Sequence, residues 1–330
     1  MKLQILKKAL YRLAFTGAFL PVVLVGLAQD TDSTVKDETP SETKPAKIKP
    51  IKNTFQSVWI IDNQTVMVPA KKTFEMDIQH RFGTINKGYE DFWGFFAPSN
   101  IRLGVNYSPL NKLFVGIGIT KSDMIWDFSA KYSIIQQTKS VYPVSVTYYG
   151  DFSFDTRTDG KNGAFKHFLS NTKITDGDGL FTYYTDRFLY FHQIIIARKI
   201  NNKISVQLAP SVSHQNSVYG YYKQVDSATR KVKPEMQHNH LAIAVSGRYK
   251  LTNVTSVLVN FDQPITKHTT NNPNPNVSLG FEFSTGSHAF QLFLTNYSFL
   301  NPARNNLYNK NNWQDNKFLI GFNITRLWSY

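Results

Sequence analysis

From Thr73 to the C-terminus, apolar residues recur at every second position, the period of a strand whose two faces meet different surroundings. Phe74, Met76 and Ile78 alternate with Glu75, Asp77 and Gln79, and Leu103, Val105 and Tyr107 with Arg102, Gly104 and Asn106. Trp126, Phe128, Ala130 and Tyr132 alternate with Asp127, Ser129, Lys131 and Ser133. The pattern returns at 113–119, 144–149, 204–209, 240–249, 255–261, 277–283, 290–295 and 318–325. The stretch 188–198 is apolar on both parities, with Leu189, Phe191 and Ile195 on one and Tyr190, Ile194 and Ile196 on the other, so its orientation stays open. Together these segments predict twelve strands.

The connections fall into two classes. Short links at 108–111, 136–139, 200–203, 251–253 and 285–288 alternate with long ones at 83–99, 153–184, 215–237, 262–275 and 297–316; only 121–123 is short where a long link is due. Segregation of loop length by parity is the signature of a transmembrane barrel with short periplasmic turns and long extracellular loops. A soluble sandwich has no reason to show it. The expected fold is therefore all-β, a closed antiparallel transmembrane barrel of about twelve strands. Lipid offers no hydrogen bonds, so its outer face must be apolar and its edges closed. Tyr107, Tyr132, Tyr149, Tyr190, Tyr249, Trp126 and Trp328 fall at or near strand ends, where aromatics form interfacial girdles. The final strand places Trp328 and Tyr330 on the outward parity, a terminal pattern of the kind barrel-assembly machinery reads.

The N-terminus reads differently. Lys2, Lys7, Lys8 and Arg12 precede an apolar stretch from Leu13 to Leu27 that closes on Gly26-Leu27-Ala28, the layout of a cleaved signal peptide over 1–28. Residues 29–50 contain no aromatic and only Val35 and Ile48 as larger aliphatics, too little to offset ordering entropy, so they read as a disordered periplasmic leader. Residues 51–330 form the barrel domain.

Composition sharpens this picture. No cysteine means no disulfide framework, no thiol nucleophile, no Cys-ligated metal and no lipidated Cys. No stretch after residue 28 has the roughly 18 apolar residues of a spanning helix. Phe, Tyr and Trp nevertheless make up 14 % of a chain whose mean hydropathy is negative, as expected when a lipid face and a water face are averaged. Lys and Arg number 37 against 23 Asp and Glu, but they are not clustered, which argues against nucleic acid and for anionic lipid or solute.

Short blocks carry a resemblance. His80-Arg81-Phe82-Gly83, Phe92-Trp93-Gly94, Asn100-Ile101-Arg102-Leu103-Gly104-Val105-Asn106-Tyr107, Val115-Gly116-Ile117-Gly118, Lys131-Tyr132 with Gln136-Gln137, and Pro210 with His214-Gln215-Asn216 resemble, in that order, a Bacteroidota-type family of outer-membrane β-barrel proteins catalogued as a domain of unknown function. Phe95-Phe96 stand where an Asp is expected after the Gly-aromatic step. The resemblance covers about 54–330 and implies a closed barrel in the bacterial outer membrane, with no established activity, catalytic residue or substrate.

Candidate chemistry is sparse. The inward parity carries Arg81, Arg102, Lys131 and Arg248 against Glu75, Asp77, Asp127 and Glu282, four of each sign, as in a wall that pairs across strands or lines a narrow, weakly selective lumen. His214, on the outward parity, and His238 and His240, on the inward, flank the 215–237 loop without a carboxylate at ligand spacing, and read as a solvated rim. Asp155-Thr156-Arg157-Thr158-Asp159-Gly160 fails as a calcium loop because Arg157 takes a ligand position and Lys166 the closing one; Asp176-Gly177-Asp178-Gly179 fails at Leu180. Ser213 and His214 are adjacent and face opposite sides, and neither a G-x-S-x-G elbow nor an H-E-x-x-H helix occurs. The expectation is a non-enzyme without catalytic residues, metal or cofactor: a small channel or barrel scaffold handling small solutes. Its expected partners are outer-membrane lipid, the barrel-assembly machinery and small solutes, with no nucleic acid and any periplasmic partner undefined. A surface adhesion or docking barrel and a barrel hydrolase are the alternatives. The minimum radius of the lumen is the decisive quantity, since a blocked lumen removes the leading channel reading.

Overall fold

The computed structural model describes residues 49–159, 181–224 and 230–330. The expected signal peptide, all but the last two residues of the leader, and Asp176–Gly179 lie outside the described residues. The first elements are two very short strands, β1 (Trp59–Ile60) and β2 (Asn63–Gln64), paired as a hairpin. Then come β3 (Thr73–Thr84), β4 (Asn100–Leu110), β5 (Leu113–Thr120), β6 (Ile125–Ile135), β7 (Ser145–Asp155), β8 (Phe188–Lys199) and β9 (Ile204–Gln215). A loop hairpin, β10 (Gly220–Gln224) and β11 (Arg230–Pro234), leads to β12 (Asn239–Lys250), β13 (Thr255–Pro264), β14 (Asn276–Ser284), β15 (His288–Thr295) and β16 (Leu319–Ser329). A helix, α1 (Pro302–Tyr308), lies in the last long loop.

The twelve long strands, β3–β9 and β12–β16, form a closed antiparallel barrel. Consecutive strands pair, and β16 closes on β3 from Ser329↔Thr73 to Leu319↔Thr84, so no edge is left open to lipid. Strand β3 begins and β16 ends at the short-turn mouth, where Phe74 packs against Tyr107 and Tyr330. Val105, Ile117, Val245, Leu279, Phe281 and Leu292 stand exposed on the outer wall while polar residues between them are buried. Two parities, two solvents. Among the described residues no helix is long and apolar enough to cross a membrane.

Three details differ from the sequence pattern or complete it. Strand β8 places Leu189, Phe191 and Ile195 inward and leaves Ile194 exposed, which settles the orientation that composition left open. Tyr149 is not a girdle residue: its ring is 3 % exposed and faces the interior, because it shares the parity of Ser145 and Thr147 on β7. The turn between β6 and β7 is longer than the 136–139 link read from the sequence, since β7 begins only at Ser145, and this turn receives the entering N-terminal segment. Pro50 bridges Thr138 and the Ile51 amide donates to the Gln137 carbonyl at 2.7 Å.

Glycines on β4 and β5 make room for a buried charge. A Cβ on Gly118 would lie 2.3 Å from Arg102 Nη2, and one on Gly104 would lie 2.2 Å from Asp77 Oδ2. Arg102 cannot swing aside freely because Asp77 and Asp127 each hold it at 2.6 Å. The Gly118→Ala variant should therefore lose about 1–3 kcal/mol of barrel stability, read as a lower temperature for the heat-modified shift in gel mobility, whereas Gly286→Ala, whose Cβ would meet nothing, should leave it unchanged.

Candidate functional site

The interior of the barrel is occupied by its own N-terminal segment. After Ile51 the chain turns into the lumen, and Phe55, Val58, Trp59, Ile60 and Ile61 are all buried, Ile61 completely. The hairpin of β1 and β2 is too short to stand alone, and Ile61 in its turn takes a left-handed backbone (φ +55°). What holds it is the wall. Gln291 Nε2 donates to the Trp59 carbonyl at 2.8 Å while its Oε1 accepts from the Ile61 amide at 3.1 Å. Asn323 Nδ2 donates to the Ile61 carbonyl at 2.7 Å, and Gln207 Nε2 donates to the Gln64 carbonyl at 2.7 Å. Lys131 Nζ donates to Gln64 Oε1 at 2.8 Å. Asn63 Nδ2 donates to Asp262 Oδ1 at 2.7 Å, and Arg81 forms an ion pair with Asp62 at 2.8 Å. Backbone groups that a sheet would normally satisfy are here satisfied by side chains of the barrel.

The eight charged residues expected on the inward parity are all buried, between 0 % exposed at Asp77 and 6 % at Arg248. Arg102 bridges Asp77 and Asp127, and Arg248 reaches Glu282 at 3.2 Å, both across the wall. Glu75 accepts from Asn106 Nδ2 at 3.3 Å. Arg81 and Lys131 instead turn to the plug, and each also lies over a ring, Phe293 at 4.5 Å and Phe114 at 5.3 Å. The lumen is thus polar on the side of β16, β3, β4 and β6. On the side of β8, β9, β12 and β13 an apolar cluster lies among buried polar groups such as Gln207 and Asp262: Leu189, Phe191, Ile195, Ala209, Ala244 and Leu258 share it with Ile60, Ile61 and the loop helix. That explains why β8 is apolar on both faces: one meets lipid, the other a filled lumen.

The long-loop mouth is closed from the opposite direction. Helix α1, capped by the Asn301 side chain accepting from the Arg304 amide at 3.1 Å, folds inward against β8, β9 and β12. Ala303 and Leu307 are fully buried. Asn301 donates to Ser153 Oγ at 2.9 Å, and Arg304 lies 3.5 Å from Asp155. Between plug and helix is a cavity of about 10 Å³, room for a single water, lined among others by Asp62, Asn63, Gln193, Asp262 and Tyr297. Below the plug, the short-turn mouth opens into a vestibule of about 720 Å³ between the N-terminal segment and the rim. Plug and helix meet in one buried cluster inside the lumen.

A family model described as "Membrane bound beta barrel domain (DUF5777)" matches residues 55–328. The chain belongs to this family. The match starts within the plug, so the membrane-bound β-barrel domain includes the hairpin as well as the wall. No curated protein matches the chain. Among solved structures it is similar to the NanC porin (9 % identity, 78 % of this chain and 99 % of the other, TM-score 0.41). An outer membrane channel from Pseudomonas putida F1 (10 %, 79 % and 97 %, 0.42) and the KdgM porin (9 %, 78 % and 99 %, 0.38) are similar to a like degree.

Within this β-barrel domain the histidines divide differently from the sequence expectation. His214 faces outward, but His238 is exposed and stacks on it with centroids 6.0 Å apart; it precedes β12 and so does not follow that strand's inward parity. His240 is fully buried and is not part of a solvated rim. Its partner is His268, which no motif singles out: His240 Nε2 lies 3.2 Å from His268 Nδ1, and His268 Nε2 lies 3.2 Å from the Leu307 carbonyl at the end of α1. A carbonyl only accepts, so His268 carries its proton on Nε2 and accepts from His240 through Nδ1. Ser213 and His214 point to opposite faces, Ser213 being fully buried. Asp155 is engaged by Arg157 at 2.6 Å and by Arg304. Among the described residues no three His, Cys, Asp or Glu side chains come together at metal-binding distance. Strand periodicity does not reveal the plug, although Val58-Trp59-Ile60-Ile61 is an apolar run quite unlike the leader before it.

Burial pushes His268 below the usual histidine range, a shift that Lys310 reinforces and that the Leu307 carbonyl and Glu235 oppose. A His depressed in the folded state favours the neutral ring there, so its contribution is intact above its ordinary pKa of 6.5 and falls away as pH drops below that value. Protection factors of the α1 amides, with exchange rates corrected for their intrinsic pH dependence, should therefore fall between pH 7.5 and pH 5.5, about one unit either side of an ordinary histidine. The His268→Gln variant should flatten that dependence; an unchanged profile in the variant would assign the pH effect to another group.

Proposed function

We propose that this protein is a bacterial outer-membrane barrel that passes small polar solutes and is held shut at rest by its own N-terminal segment. The observation that carries the reading is the mode of attachment. Residues 57–66 are bound to the wall through hydrogen bonds, one ion pair and the burial of Val58, Trp59, Ile60 and Ile61, with no covalent link other than the chain itself. Such contacts exchange with water one by one when a segment withdraws, since a typical hydrogen bond contributes only about 0.5–1.5 kcal/mol net. The wall they leave behind is a polar surface of mixed sign, suited to uncharged or weakly charged solutes rather than to one ion type. The residues assigned to that passage are Glu75, Asp77, Arg81, Arg102, Asp127, Lys131, Arg248 and Glu282.

The same reading gives the molecule its setting. Residues 1–28 direct export and are removed, 29–50 extend into the periplasm, the short turns face the periplasm and the long loops the exterior, in a cell of Bacteroidota type. The barrel-assembly machinery inserts the chain, and no catalysis is assigned to it.

Planar-bilayer recording tests the gate. Wild-type protein should be closed for most of the record. Removal of residues 49–66, or Asp62→Asn, which leaves Arg81 buried without its carboxylate, should raise open probability about tenfold or more. A plug-deleted barrel that retains heat-modifiable mobility yet conducts no more than wild type would refute the reading.

A further inference from the structure

The loop between β3 and β4 carries a second surface that the lumen does not explain. Five aromatic rings crowd residues 89–96, and none is buried: Tyr89 and Phe96 are each 82 % exposed, and Phe92, Trp93 and Phe95 lie between 43 % and 45 %. They contact one another, Phe92 with Trp93 at 5.3 Å, with Phe95 at 5.9 Å and with Phe96 at 5.8 Å. An exposed apolar cluster of this kind marks an interaction surface.

Its backbone is specialised for the display. Phe92 and Trp93 are both in the left-handed region, at φ +52° and +53°, a conformation that side chains rarely adopt in succession. The strained turn is held by backbone bonds from the Trp93 amide to the Gly88 carbonyl at 2.6 Å and from the Phe96 amide to the Asp91 carbonyl at 3.1 Å. It is fixed to the barrel where the Gly83 amide donates to the Gly94 carbonyl at 3.0 Å, an approach so close that a Cβ on Gly94 would lie 2.3 Å from the Gly83 oxygen. The two glycines and the aromatics between them belong to the blocks His80–Gly83 and Phe92–Gly94, so the spacing of those blocks has a physical cause: it ties an aromatic turn to the end of β3.

The direction in which the loop leans identifies its occupant. Phe95 packs on Phe82 with centroids 4.4 Å apart, and Phe82 in turn contacts His80 and, at 6.2 Å, Phe322 of β16. These three lie on the outer wall, on the parity of Phe74 and Met76. The loop therefore folds over the outside of the barrel, away from the lumen that α1 closes. From Phe74 to Phe82 the strand rises about 27 Å along its own axis, or about 20 Å once tilted, close to the height of an apolar transmembrane band. Phe82 thus stands at the long-loop edge of the lipid-facing surface and the aromatic turn continues that surface beyond it.

We infer that residues 89–96 form a membrane anchor: an aromatic turn that lies on the outer leaflet of the bilayer at the boundary between headgroups and acyl chains, beside the barrel rather than above it. Aromatic rings favour that depth, and Lys87, Glu90 and Asp91 on the same turn supply the polar side that faces headgroups and water. The anchor does not depend on whether the lumen conducts.

The absence of cysteine makes the test direct, since one introduced thiol is a unique label site. F96C carries an environment-sensitive fluorophore at a position open enough to accept it, and F281C, in the middle of the outer wall, serves as the lipid reference. In vesicles of lipid brominated near the headgroup, the label at 96 should be quenched about twofold or more and shielded from iodide, and its emission should lie to the blue of its value in detergent-free unfolded protein. In unlabelled protein, Trp93→Phe should remove part of the bromolipid-quenchable tryptophan emission. Heat-modifiable mobility reports that each variant is folded. A folded F96C barrel whose label is quenched by iodide and untouched by brominated lipid would overturn the anchor, and so would a Trp93→Phe protein with undiminished bromolipid quenching.

Discussion

A barrel closed around twelve strands has an interior that its own inward side chains do not fill, and the rest of this structure follows from how that space is occupied. Eight-stranded barrels pack their interiors with wall side chains, whereas barrels of sixteen or more leave water. At twelve the wall can enclose a segment of chain. A segment drawn into such a space brings unpaired amides and carbonyls with it, and these cost several kcal/mol each where no water reaches them. Gln207, Gln291 and Asn323 answer that demand, each directed at a named backbone atom of residues 59–64. Their long amide side chains reach across a gap that Ser or Thr would leave open.

The charges obey the same constraint. Arg102 with Asp77 and Asp127 forms a closed set within the wall, which Gly104 and Gly118 accommodate by having no side chain. Arg81 has no such partner among its neighbouring strands and finds one in Asp62 of the plug. A buried ion pair gives little net stability, but losing one partner is costly because the other charge stays behind. Asp62 therefore contributes more to holding the plug in register than to overall stability. The opposite side of the lumen holds by burial: Ile60 and Ile61, against β8, β9 and β13, contribute about 1.5–3 kcal/mol each.

Much of this was legible in the sequence, because a membrane wall imposes one rule on every strand. Period two marks eleven of the twelve strands, and the eight inward charges follow from parity alone. The errors came where a residue lay outside that rule. Tyr149 is inward although aromatic and near a strand end, since parity and not residue type sets its face. His238 was assigned the parity of a strand that begins one residue later. The double-faced β8 could not be oriented because both of its environments are apolar, one lipid and the other protein. The plug and the His240–His268 pair depend on contacts between segments far apart in the chain, Trp59 with Gln291 and His268 with Leu307, and periodicity is blind to these.

The two closures also differ in how they can be undone. Helix α1 is seven residues long, enters from a loop fixed at both ends to β15 and β16, and is pinned by side chains on β7 and β9 as well as by His268. Its displacement would have to strain both strand ends. On its C-terminal side the plug bonds through the Lys72 amide to the Ser108 carbonyl and continues directly into β3, whereas residues 50–52 are held to the rim by edge contacts with Thr138, Gln137 and Lys199. Those contacts lie at the rim of the vestibule, where water is at hand to replace them. Withdrawal on the proposed reading therefore begins at residues 50–52 and proceeds inward past Asp62 and its Arg81 ion pair to the contacts of Asn63 and Gln64. On that reading, the buried charge at Arg81 raises the barrier to opening and the wet rim is where opening starts.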